Sequence, residues 1–105
     1  MLFRSVVNHH RVAEVYRRLG VLDKSFDHLE RALALDSRDA AALDGMARIW
    51  RDWGFPHLGL SAVYRALYVA PNSPEALNTL GTLLQALGQW KAARSEEHTS
   101  ELQSH

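Results

Sequence analysis

A chain of 105 residues with no cysteine is enough for one small domain and excludes disulfides and thiolate metal sites. Its 12 basic and 12 acidic residues cancel, which gives no electrostatic reason to expect nucleic acid or an anionic membrane as partner, and no direct membrane insertion is expected. Hydrophobic residues at 47% and charged residues at 23% fit an ordinary soluble globular chain.

The opening segment MLFRSVVNHHRVAEVYRR holds no apolar run long enough for a signal-peptide core or a membrane span. The expected location is therefore cytoplasmic, unless the true start of the chain is missing. The first expected helix covers 6–19 and ends at Gly20; the second covers 22–35. The third, over 40–53, is the clearest. Leu43, Met46, Ala47 and Trp50 follow the i, i+3, i+4, i+7 spacing of one helical face, and Gly54 ends it where a left-handed residue costs glycine least. Pro56 opens the fourth, over 56–69, at a position whose missing N–H costs nothing, and Leu60, Val63, Ala66 and Leu67 form its apolar stripe. Ser73 and Pro74 place a cap before a first-turn proline, with Glu75 at the positive end of a fifth helix over 74–87. A sixth helix is expected from near Gln89. Tyr16, Leu29, Leu43, Met46, Trp50, Val63, Leu67, Leu77, Leu80 and Leu84 are the expected core.

These elements repeat. Gly20, Gly54 and Gly88 stand 34 residues apart, and the same step relates Ala13, Ala47 and Gly81, then Tyr16, Trp50 and Leu84, then Ser25, Gly59 and Ala93. Leu29 pairs with Val63, Ala32 with Ala66 and Leu33 with Leu67. The small columns let paired helices approach closely, and large side chains there would overpack the pair.

This 34-residue pattern resembles the tetratricopeptide repeat, carried by Leu43, Met46-Ala47, Trp50, Gly59, Val63, Ala66 and Pro71 in the second unit. The third unit matches at Leu77, Leu80-Gly81, Leu84, Gly88, Trp90 and Ala93. The first is looser, with His9 where a large apolar residue is usual and Ser37 in place of the closing proline. The resemblance implies an all-α right-handed solenoid of about 2.5–3 helix–turn–helix repeats, with units 6–39, 40–73 and a truncated 74–93.

After Ala93 the pattern fails. Glu97, Ser100 and Glu101 fall in columns that hold Leu or Val, Ala and Leu in the earlier units. A buried unpaired carboxylate is expensive, so this stretch is not expected to pack as its predecessors do. The string RSEEHTSELQSH from Arg94 resembles the in-frame translation of a common short-read sequencing adapter, which makes 94–105 a non-native tail in this reading. Without it, 11 basic residues face 9 acidic ones, a net +2 that still makes no case for nucleic acid.

No nucleophile motif, phosphate-binding glycine loop or paired-carboxylate arrangement is evident, so no enzyme and no cofactor is expected. Adjacent His9 and His10 point about 100° apart on a helix and do not converge as metal ligands would, so they and His28 read as surface histidines. Trp50 and Trp90 read as core, Trp53 as partly exposed. The resemblance implies a peptide-binding groove lined by the first helix of each unit. Carried over by residue, it holds His10, Glu14, Arg17 and Arg18, then Asp44, Arg48, Arg51 and Asp52, then Asn78, Thr82 and Gln85. A groove that clamps a terminal carboxylate with Lys and Asn is not expected, because the matching positions are His10, Glu14, Gly45, Glu75 and Thr79. The expected partner is a protein or peptide, with acidic side chains suiting Arg17, Arg48 and Arg51. Self-association through an uncapped terminal repeat is a further expectation. The alternative is a structural spacer in a larger protein whose functional domain lies elsewhere.

Overall fold

The computed structural model describes the backbone of residues 2–103 and the side chains of residues 9–89. The described residues form five helices: α1 (Leu2–Arg18), α2 (Leu22–Leu35), α3 (Ala40–Trp53), α4 (Pro56–Val69) and α5 (Pro74–Gln103). No strand occurs among the described residues, and none of their helices is long and apolar enough to cross a membrane.

The helix ends follow from local chemistry. Gly20 and Gly54 adopt φ of 79° and 94°. The next residue then turns its N–H back to the helix, Val21 to the Tyr16 carbonyl at 2.9 Å and Phe55 to the Trp50 carbonyl at 2.8 Å. Asp39 starts α3 by accepting the Ala42 N–H on its side chain at 3.1 Å, and Ser73 starts α5 by accepting that of Ala76 at 3.2 Å. Pro56 is the first residue of α4, as its sequence context requires. The same backbone bonds thus recur one 34-residue step apart. Asp36 N–H to Ala32 carbonyl becomes Ala70 N–H to Ala66 carbonyl, and Leu43 N–H to Asp39 carbonyl becomes Leu77 N–H to Ser73 carbonyl.

Short turns make α1 and α2, and likewise α3 and α4, into antiparallel pairs in contact along their length, while α3 also touches α1, α2 and α5. The core runs through Leu29, Leu43, Ile49, Val63 and Leu83, with Ala13, Ala32, Ala47 and Ala66 where helices approach most closely. Two close approaches show what the small columns do. Ser25 Oγ donates to the Ala13 carbonyl at 2.6 Å. A Cβ on Gly59 would stand 2.9 Å from the Ala47 carbonyl oxygen and 2.9 Å from Leu83 Cδ2, so only glycine lets α4 lie this near α3.

Three expectations are corrected. Gly88 does not end a helix. The chain passes through it in one helix to Gln103, so the helix expected over 74–87 and the sixth expected from Gln89 are continuous. Second, Leu77 and Leu84 are exposed, because the helix that would cover them in the manner of α4 is not there. Tyr16, Trp50, Leu67 and Leu80 are half-buried, whereas Leu29, Leu43, Met46 and Val63 are buried as expected. Third, His9, His10 and His28 are half-buried and partnered rather than solvated. The side chains of Trp90 and of Glu97, Ser100 and Glu101, on which the reading of the tail rests, lie outside the described residues.

Candidate functional site

The side of α1, α3 and α5 away from α2 and α4 carries most of the charge expected to matter. Helix α1 brings Glu14, Arg17 and Arg18 together, since residues three and four apart share a face. Glu14 accepts Arg17 Nη2 at 2.8 Å and Nε at 3.1 Å, a two-pronged pairing, and Arg18 Nε at 3.1 Å. Arg17 Nη1 then reaches across to Asp52 on α3 at 2.9 Å. Asp52 accepts Arg51 Nε at 3.2 Å, and Arg51 Nη1 donates to Thr82 Oγ1 on α5 at 2.7 Å. Six side chains therefore form one network across the three helices.

The electrostatics follow the geometry. Arg17's hydrogen bonds hold the Glu14 carboxyl down at about 2, against the upward push of burial, with further help from the charge of Arg17 and the bond from Arg18. The Glu14 carboxylate in turn raises the Arg17 guanidinium above its ordinary value, outweighing desolvation, with Asp52 adding to it.

Beside this network lies an open pocket of about 240 Å³. His10, Glu14 and Arg17 of α1 form one wall and Gly45 and Arg48 of α3 the other, over a floor of Ala13, Ser25 and Leu29. Gly45 opens the α3 wall, because a Cβ there would already meet Leu29 Cδ1 at 2.9 Å. Arg48 is held loosely, its Nη1 3.9 Å from Asp44 Oδ2, beyond hydrogen-bond range. Asp44 itself is buried, and its Oδ1 has no hydrogen-bond partner.

Of the residues expected in a groove, His10, Glu14, Arg17 and Arg48 share the pocket, while Arg51 and Thr82 join the network next to it. Asp44 is buried and does not line the pocket, and Asn78 and Gln85 are exposed on α5 and do not line it either. Sequence reasoning missed Asp39. Its carboxylate both caps α3 and takes His10 Nε2 at 2.6 Å, fixing the pocket's His10 wall to the start of α3. The signal was available in principle, an Asp directly before a helical apolar run, but nothing in spacing placed it opposite His10.

His9 and His28 form a second cluster on the α1–α2 side, their Nδ1 atoms 3.0 Å apart with Tyr16 stacked on the His28 ring. Burial lowers the His9 pKa, with the charges of His28, Arg31 and His10 acting the same way and Asp27 opposing. No group of three or more metal-ligating side chains converges among the described residues. At the α3–α4 turn, Trp50 packs among Phe26, Trp53 and Phe55, with Trp53 and Phe55 partly exposed.

Against known proteins, the chain matches no family model and no curated protein.

Proposed function

We propose that this chain is a tetratricopeptide-type repeat array that presents its α1–α3–α5 surface to a segment of another protein, with Arg48 as the principal contact for an acidic side chain. The recurrence of the same helix-capping bonds at a 34-residue step supports the repeat reading. The observation that carries the binding reading is the contrast between Arg48 and its neighbours. Arg17 and Arg51 spend their guanidinium groups on Glu14, Asp52 and Thr82, whereas Arg48 stands at the pocket 3.9 Å from its nearest carboxylate. A ligand carboxylate there meets a cation already oriented by a rigid helix, and the flanking ladder keeps α1, α3 and α5 in fixed relation. The chain acts by holding a surface in shape and performs no chemistry on its partner. The rival reading is a structural spacer, favoured by the degree to which the surface charges satisfy one another.

The two separate by selection of random twelve-residue peptides displayed on phage against the full chain. We expect enrichment of sequences carrying Asp or Glu that bind the R48E/R51E variant at least about tenfold more weakly, which is about 1.4 kcal/mol, at unchanged far-ultraviolet circular dichroism. No enrichment at all supports the spacer, and enriched peptides indifferent to R48E/R51E place binding elsewhere.

A further inference from the structure

The first unit carries two histidines where the second carries apolar side chains. His9 and His28 stand one 34-residue step before Leu43 and Ala62, which are 1% and 8% exposed in the core. A polar side chain in a core column destabilises unless it has a partner, and here both columns hold histidine in the same unit. Helices α1 and α2 bring the two together, Nδ1 to Nδ1 at 3.0 Å, with both rings only half-buried. Histidine Nδ1 carries either a proton or a lone pair, so two of them at this distance can share a proton or share a cation.

From this pair we infer that His9 and His28 form a two-ligand site for a divalent transition-metal ion of the nickel or copper class, bound by both Nδ1 atoms with water in the remaining positions. The spacing favours these metals. With metal–nitrogen bonds of about 2.0–2.1 Å, nitrogens 3.0 Å apart subtend roughly 95° at the ion. That is the cis angle of square-planar and octahedral ions, whereas a tetrahedral zinc site would hold the two nitrogens about 3.3 Å apart. In the metal-free chain the Nδ1–H of one ring donates to the Nδ1 of the other. Binding uses both Nδ1 lone pairs, and the shared proton moves to Nε2 of the ring that carried it. Both imidazoles stay neutral and no proton is released.

The surroundings suit the ligating form. Burial, followed by the charges of His28, Arg31 and His10, favours neutral His9, so protons compete less for its lone pair. Tyr16 stacks on the His28 ring with centroids 5.8 Å apart, and Lys24 Nζ lies 5.7 Å from the Tyr16 centroid, which restrains the ring from behind. The charge of Arg31 is offset by Asp27, 3.1 Å from it. The ligands come from different helices, 19 residues apart in the chain, so the unfolded chain does not hold them together. Metal binding therefore staples α1 to α2 and appears as stability of the fold. The site stands whether or not the α1–α3–α5 surface binds peptide.

Titration of the full chain with nickel chloride near neutral pH tests the site, by calorimetry and by thermal unfolding. The thermal midpoint is expected to rise by at least about 5 °C with nickel at about 100 times its dissociation constant. H9Q and H28Q each leave one imidazole. Each is expected to bind nickel at least about tenfold more weakly and to lose most of the midpoint rise, at unchanged helicity without metal. H98Q/H105Q, which removes the two histidines of the tail, is expected to keep both effects. A readout that needs no variant is the broadening of histidine ring proton signals by substoichiometric Cu2+, expected first at His9 and His28. A midpoint rise that survives H9Q or H28Q, or that vanishes in H98Q/H105Q, overturns the proposal. So does broadening that begins at other histidines. Wild type that binds nickel no more tightly than H9Q and H28Q leaves His9 and His28 a hydrogen-bonded pair only, and overturns it as well.

Discussion

Helices α3 and α5 occupy equivalent places in the sequence and very different places in the molecule. On one side they match. Ile49 and Leu83, a 34-residue step apart, are both fully buried, Leu83 against Gly59 of the helix pair that precedes it. On the other side they diverge, because α3 is closed by α4 while α5 is left open at Leu77, Gly81 and Leu84. A first helix of this kind therefore has two separable buried faces, one supplied by the chain before it and one by the chain after it. Val15, the α1 member of the Ile49–Leu83 column, is 56% exposed, with no earlier pair among the described residues to cover it.

The sharpest break in this comparison is expected between two adjacent leucines. Leu83→Ala removes a side chain with no solvent exposure that packs on Gly59 of α4, and a loss of about 2–5 kcal/mol is expected from urea unfolding, as for other buried leucines. Leu84→Ala, one residue on and half exposed, is expected to change stability by no more than about 0.5 kcal/mol in the monomer. Equal losses at the two positions would mean that the open face of α5 is covered.

This pair also marks what could be read in advance. One helical stripe per element, i, i+3, i+4, i+7, correctly found Leu43, Met46 and Val63, since those face the helix within their own unit. It missed Ile49 and Leu83, which lie on the second face. It misplaced Leu77 and Leu84, whose burial depends on a helix and not on their own spacing. The second face was nonetheless written in the sequence as an apolar column, Val15, Ile49 and Leu83, at the same 34-residue step. The charge network was half legible. Glu14 with Arg17 and Arg18 follows from helical spacing, but Arg17 to Asp52, Arg51 to Thr82 and His10 to Asp39 join different helices, and their meeting depends on interhelical geometry that periodicity does not encode.

The next effect in size compares two glycines. Gly59→Ala puts a methyl group 2.9 Å from the Ala47 carbonyl oxygen, a backbone atom that cannot swing aside. Overpacking of this kind costs about 1–3 kcal/mol, more than the helix propensity that alanine returns. The thermal midpoint should fall accordingly, and a rise would show that α3 and α4 are not so closely apposed.

A smaller effect, with a definite pH signature, tests the ladder that binds α1 to α3. The Glu14 carboxyl has a folded pKa of about 2 against an ordinary 4.5. A depressed pKa means that the unfolded chain takes up the proton first as pH falls. The stabilisation is therefore complete above about pH 4.5 and is lost between there and about pH 2. Glu14→Gln is expected to lower stability at pH 7 and to make no difference near pH 2. Because Glu14 is a third exposed, solvent screening keeps the difference modest. An acid-unfolding profile of the same shape in wild type and variant would remove Glu14 from the ladder.

The last expected change has the opposite sign, and that is its use. Gly81 sits inside α5 with open space where a Cβ would go, and its φ is not left-handed. Alanine there meets no obstacle in the monomer, and it removes the entropy that glycine loses on entering a helix. Gly81→Ala should therefore stabilise the chain by about 0.5–1 kcal/mol when measured at concentrations low enough to keep it monomeric. The same exchange at Gly59, in the corresponding pairing of α3 with α4, is expected to destabilise. Two glycine-to-alanine changes of opposite sign in adjoining helices separate local propensity from close packing, because propensity alone would move both in the same direction. If Gly81→Ala also destabilises, something packs against that face of α5, and the open space beside Gly81 is not there.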